Sequence, residues 1–155
     1  MIDGLKHFAF VGLGFALVGG WILTLIVNTL LGILLEVILH APPTNYYLGS
    51  ALLTAVSILL IGGCMIAGNR LYQRRFGSSL LSRSSLFLST ALFLLVVLVF
   101  VVPALLQVLS AYTSNTRYFY HHNSELLLMF SLPFVRLILL PTLYFFVGRR
   151  SVRAA

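Results

Sequence analysis

Arg136 is the residue best placed to do chemistry in this chain. It stands ten residues into an apolar stretch, 126–147, that holds no other charge. If that stretch is a helix crossing a bilayer, a rise of 1.5 Å per residue puts Arg136 about 15 Å deep, near the midplane of a core about 30 Å thick. An arginine there costs at least about 2.5–3.5 kcal/mol on insertion scales, so it must face the interior of a bundle or a wet cleft. Its guanidinium is a planar fork that matches a phosphate or a carboxylate. Two readings follow: a structural ion pair that fixes helix packing, or a contact with a ligand. Pro133 and Pro141 flank it. Each removes a backbone donor and frees a carbonyl one turn earlier, so a bent, locally hydrated helix is expected.

Glu36 is the natural partner, as the only acid inside an apolar stretch. It lies about 6 Å from the end of that stretch, and the depth gap of about 9 Å to Arg136 is one that two long side chains can mostly bridge. Gln107 has a similar shallow depth, and Asn28 lies near the level of Arg136. Asn28, Glu36, Gln107 and Arg136 are therefore expected to line one polar cleft, although Asn28 also suits a simple interhelical hydrogen bond. Other chemistry is missing. No nucleophile–base pair, glycine-rich phosphate loop or paired carboxylates occur. His121-His122 lacks the spacing of a helical metal pair, and none of the four histidines is expected deep in a span, as haem ligation would require. Cys64 reads as a small packing residue. The expectation is a protein that is not an enzyme and holds no metal or cofactor.

The elements that position these residues follow from composition. Charged residues make up 8% of the 155, against about 25% in a soluble domain, and mean hydropathy is +1.05. Four stretches are long enough to cross a bilayer: 8–39, 47–68, 86–109 and 126–147. The first is too long for one upright helix and too short for two, so a tilted or bent helix is expected, with the bend at Gly19-Gly20. It far exceeds a signal h-region, and no small-residue cleavage site follows it. The fold class expected is an all-α membrane protein, a single transmembrane domain over residues 1–155.

Basic residues set the orientation. Lys6, Arg70, Arg74, Arg75, Arg83, Arg149, Arg150 and Arg153 fall at one end of the four spans. Arg117 alone falls at the other, a split of eight against one once Arg136 is set aside. Both termini are therefore expected in the cytoplasm, with loops 40–46 and 111–125 outside and four helices arranged as two helical hairpins in series. Segment 69–83 interleaves Arg70, Tyr72, Arg74, Arg75 and Phe76. As a loop beside a span it reads as a topology signal, with Arg74 and Arg75 also suited to a lipid phosphate or a partner enzyme. It is poor ground for nucleic acid. Close helix approach is expected at Gly12, Gly14, Gly19 and Gly20, and at Gly62, Gly63, Ala67 and Gly68, where Gly63 and Ala67 have small-xxx-small spacing.

Val27-Asn28-Thr29-Leu30-Leu31-Gly32 and Asn69-Arg70-Leu71-Tyr72 carry a family resemblance. The chain resembles the GtrA-like family of small four-span membrane proteins, in which an Asn-Thr stretch lies in the first span and Asn-Arg-x-Trp closes the second. Tyrosine replaces that tryptophan here. The second half matches in span order and in its aromatic, basic ending, 144–150. About half the chain carries the likeness, best over 27–76. The family's extra asparagine shortly before Asn-Arg is missing, and no Asn-Arg pair closes the fourth span. The resemblance implies translocation of a polyprenyl-phosphate-linked sugar across the bacterial inner membrane, serving cell-envelope polysaccharide glycosylation. It further implies a membrane lipid and a membrane glycosyltransferase as partners, with a homo-oligomer expected. Asn28, Asn69 and Arg70 come over as candidate functional residues. Two other classes compete: a non-catalytic subunit of a larger membrane complex, and a small proton-coupled multidrug-type exporter built on Glu36.

Overall fold

The computed structural model describes residues 2–34, 46–76, 81–114 and 123–152. In hydrocarbon every backbone N–H and C=O must find its partner inside its own segment, so long apolar runs become helices. The first helix is continuous and has three parts: α1 (Ile2–His7), a π-helical segment (Phe8–Gly19) and α2 (Gly20–Ile33). Then come α3 (Tyr46–Phe76), α4 (Arg83–Ser114) and the last helix, here α5 (Asn123–Arg149). Four helices are long and apolar enough to cross a membrane, over Ile2–Ile33, Ala51–Phe76, Arg83–Gln107 and Ser131–Arg149. The protein is thus all-α with four candidate membrane-crossing helices, as an integral membrane protein has.

The helices run past the expected spans. The first begins at Ile2 rather than residue 8, and the stretch 35–39 lies outside the described residues. α3 continues eight residues beyond Gly68, so 69–76 is helix and not loop. The reason is amphipathic: Asn69 and Tyr72 are buried on one face, while Arg70, Arg74 and Arg75 are exposed on the other. α4 likewise continues to Ser114, and α5 starts at Asn123 and passes through Pro133 and Pro141 without interruption. The proposed outer loops, 40–46 and 111–125, lie largely outside the described residues.

Gly19-Gly20, expected as a bend, is where π winding returns to α winding. Both residues keep right-handed helical dihedrals, and the Gly20 N–H reaches the carbonyls of Phe15 and Leu17. π-helix is ordinarily confined to single turns, often at functional sites; here it spans twelve residues.

The first helix lies along α3, α3 lies against α5, and α5 lies against α4, which also meets α1 and the π segment. A Cβ on Gly68 would come 2.6 Å from the Phe15 Cβ, and one on Gly20 would come 3.1 Å from Ile61, so both glycines mark close approach of α3 to the first helix. Gly63 and Ala67 do not: both are exposed, and nothing lies within 4 Å of a Cβ on Gly63. The core is apolar and aromatic, built on Val11, Met65, Tyr72, Phe93, Val97 and Tyr144. The outer surface is apolar too, with Leu59 75% and Trp21 62% exposed. The buried polar residues His7, Thr24, Thr54, Ser57, Asn69, Ser85, Ser89 and Ser151 stand out against this pattern. They gather in two layers.

Candidate functional site

The first layer centres on Arg136. It is half-buried on α5 and donates from a terminal nitrogen to Thr54 Oγ1 on α3 at 3.3 Å. Its Nε is buried with no partner among the described residues. One turn along α3, Ser57 accepts from Asn28 Nδ2 at 3.3 Å and itself donates to the Leu53 carbonyl. The carbonyl oxygen of Asn28 is buried with no partner among the described residues, and so is the Thr24 hydroxyl one turn before it on α2. Thr54 and Ser57, three residues apart, share a face of α3, which brings Asn28 and Arg136 to within about one turn of each other along that face. The arrangement has polar groups in excess of the partners given to them. A guanidinium edge and two acceptors left open suit a ligand that carries both an anionic oxygen and hydroxyl donors.

The remaining expected members of this cleft fare differently. Glu36 lies outside the described residues. Gln107 is exposed on α4 and does not join the layer. The buried stripe of α4 runs through Phe93, Val97 and Val101 to Leu105 at four-residue intervals, and at 3.6 residues per turn residue 107 sits on the opposite side.

The second layer centres on His7, which is fully buried. Its Nε2 lies 3.1 Å from Asn69 Oδ1 on α3, and its Nδ1 lies 2.9 Å from the Tyr144 hydroxyl on α5 and 3.1 Å from Ser89 Oγ on α4. The network assigns the proton. Asn69 Nδ2 donates to the Val147 carbonyl at 2.9 Å, so Oδ1 is the acceptor and also takes the Ser151 hydroxyl at 2.8 Å. His7 therefore donates from Nε2, and Nδ1 accepts from one of the two hydroxyls, Tyr144 or Ser89. Ser89 and Tyr144 are 2.6 Å apart, and Gln73 Nε2 donates to Ser151 Oγ and to the Arg150 carbonyl, both at 3.0 Å. Tyr72 sets its ring edge-on to the imidazole at 5.0 Å, and Phe93 stacks on Tyr144 at 4.4 Å. All four long helices contribute.

His7 lies near the start of the first candidate membrane-crossing helix, Ile2–Ile33, and is sealed from solvent. Sequence reasoning missed it because Lys6-His7 reads as a polar flank. The signal that could have found it is the spacing of its partners, Asn69, Tyr72 and Gln73 at i, i+3 and i+4 opposite three arginines, and Ser85 and Ser89 at i, i+4. Asn69 belongs to this layer and not to that of Arg136. Fifteen residues of α3 separate Thr54 from Asn69, about 22 Å of helix. Arg70, Arg74 and Arg75 are exposed beside the His7 layer, as are Lys6, Arg83, Arg149 and Arg150. Residue 7 meets residue 69 while residue 28 meets residue 57, so the first helix and α3 run in opposite directions. No metal-ligand cluster occurs among the described residues. No family model, curated protein or solved structure matches the chain.

Proposed function

We propose that this protein translocates a polyprenyl-phosphate-linked sugar across the bacterial inner membrane for cell-envelope polysaccharide glycosylation. In this reading the four helices form two helical hairpins with both termini in the cytoplasm, and the protein works without a cofactor beside a membrane glycosyltransferase, as a homo-oligomer. The observation that carries the reading is Arg136. It is half-buried within a membrane-crossing helix, has one hydroxyl partner, and its Nε is left open among the described residues. A buried guanidinium donor without an acceptor is costly. A phosphate supplies two acceptor oxygens in the geometry of the fork. Asn28 Oδ1 and the Thr24 hydroxyl, without partners among the described residues, supply acceptors for sugar hydroxyls. The exposed arginines Arg70, Arg74 and Arg75 at the basic end give a lipid phosphate a landing place in the headgroup region.

The test is flipping of a labelled polyprenyl-phosphoryl sugar in proteoliposomes. Wild-type protein should move it, Arg136→Ala should not, and Arg136→Lys should rescue in part, because an ammonium lacks the planar fork. Wild-type transport in Arg136→Ala removes this residue from the mechanism. No movement by the wild-type protein shifts the reading to a non-catalytic subunit of a larger complex. Orientation is checked separately: a cysteine placed at Asn115 should label from outside the cell and one at Ser79 should not, and the reverse pattern refutes cytoplasmic termini.

A further inference from the structure

The His7 layer has no place in binding the solute, yet it is the best-connected part of the molecule. Side chains from all four long helices meet there: Nε2–H donates to Asn69, Nδ1 accepts from the Tyr144–Ser89 hydroxyl pair, Ser151 donates to Asn69, and Asn69 donates to the Val147 carbonyl. Backbones approach closely around it. A Cβ on Gly148 of α5 would come 2.6 Å from Leu86 Cδ1 and 3.3 Å from the imidazole Cε1. The Leu81 N–H donates to the Ser151 carbonyl at 2.9 Å, tying the segment before α4 to the residues after α5. This end of the bundle is closely packed and hydrogen-bonded, while about 22 Å away the Arg136 layer holds buried polar atoms with no partner among the described residues.

We propose that the His7 layer is a latch that seals the basic end of the bundle and opens when His7 takes a second ring proton. The neutral ring is what the bonds require, since Nδ1 must accept. A proton on Nδ1 turns that acceptor into a donor facing two hydroxyls. The two hydroxyls must then both turn their protons away from the ring, with one donating to the other. Among the described residues the charge also finds no counter-ion at the ring. The groups bonded to the ring are Asn69 from α3, Ser89 from α4 and Tyr144 from α5, with Tyr72 edge-on. Of the charged groups nearby, Asp3 is half-buried on its own element, and Lys6, Arg70, Arg74, Arg75, Arg83, Arg149 and Arg150 are exposed. None of them bonds the imidazole. A buried charge without a partner is relieved by reaching water, which here means α1 leaving α4 and α5. Protonation is favoured as pH falls, so the latch is closed at the alkaline side and opens at the acid side.

The latch rests on the translocation reading only for its purpose, and its test needs no solute. Spin labels at Leu5 on α1 and Arg149 on α5, in a Cys64→Ala background in lipid nanodiscs, report the separation of the two elements. In otherwise wild-type protein the distance should grow by about 2 Å or more between about pH 8 and about pH 5. His7→Gln keeps one acceptor and one donor and cannot titrate, so its distance should stay at the closed value at both. An unchanged distance in the wild type, or the same growth in His7→Gln, overturns the latch. Should His7→Gln not fold, ring nitrogen NMR of protein whose other three histidines are glutamine decides instead. His7 must then pass from the Nε2–H tautomer to the doubly protonated ring over the range in which the labels separate, and a ring that stays neutral while they separate overturns the proposal.

Discussion

The two polar layers each set one nitrogen-rich side chain among an amide and several hydroxyls, and they differ in how many of these groups bond one another. Around His7, the imidazole, the Asn69 amide and the Ser89, Tyr144 and Ser151 hydroxyls bond one another and tie the four helices together. Around Arg136, a guanidinium, an amide and three hydroxyls leave Nε, Asn28 Oδ1 and Thr24 Oγ1 without partners among the described residues. Low dielectric makes both arrangements consequential. A complete network rigidifies its surroundings, and an incomplete one costs stability that only a further partner returns. The His7 layer is therefore where the fold is held, and the Arg136 layer is where it is kept ready for something else.

The largest effect that could break this contrast is His7→Ala. It removes an imidazole from a fully buried position and strands Asn69 Oδ1 on one side and the Tyr144 and Ser89 hydroxyls on the other. A cavity and newly unsatisfied groups together should cost about 3–5 kcal/mol. The unfolding midpoint in detergent should fall sharply, and a midpoint within error of wild type would show that the layer holds nothing.

Gly68→Ala should come next, at about 1–3 kcal/mol, because the new methyl meets Phe15 at its Cβ and ring, close to the backbone, where it has little room to move. The same change at Gly63, where nothing lies within 4 Å, should be neutral or slightly stabilising through helix propensity. Equal losses at the two sites would contradict the close approach of the first helix to α3 at Gly68. Tyr144→Phe is milder. Ser89 remains 3.1 Å from Nδ1 and can take over the donation, so the loss should be about 1 kcal/mol.

How much of this was legible in the sequence differs between the layers for a physical reason. Span count follows from hydropathy, because a bilayer punishes any break in an apolar run. Arg136 was conspicuous because it is charged in the middle of such a run. Asn28 was placed at the right level by counting residues, but nothing in the sequence says which way a residue faces, and Gln107, counted the same way, points out from α4. His7, Ser89 and Tyr144 were hidden because each sits near the end of an apolar stretch, where polar and aromatic residues are ordinary. Only their meeting makes them a site, and that is a tertiary fact. The helical extension 69–76 was hidden by its arginines, which lie on the exposed face.

The smallest expected effect on stability is also the sharpest test of the contrast. Arg136→Met keeps the length and much of the volume of the side chain and removes the charge. It gives up one 3.3 Å hydrogen bond to Thr54, and it also removes a half-buried Nε that has no acceptor among the described residues. Replacing a buried charged group by an apolar one of similar volume is often neutral or stabilising, so the unfolding midpoint should stay level or rise, against the large fall for His7→Ala. Transport of the lipid-linked sugar should be lost all the same, since methionine offers phosphate nothing. A marked loss of stability in Arg136→Met would mean that Arg136 holds the fold through a partner outside the described residues, and the open layer would then be a second structural one.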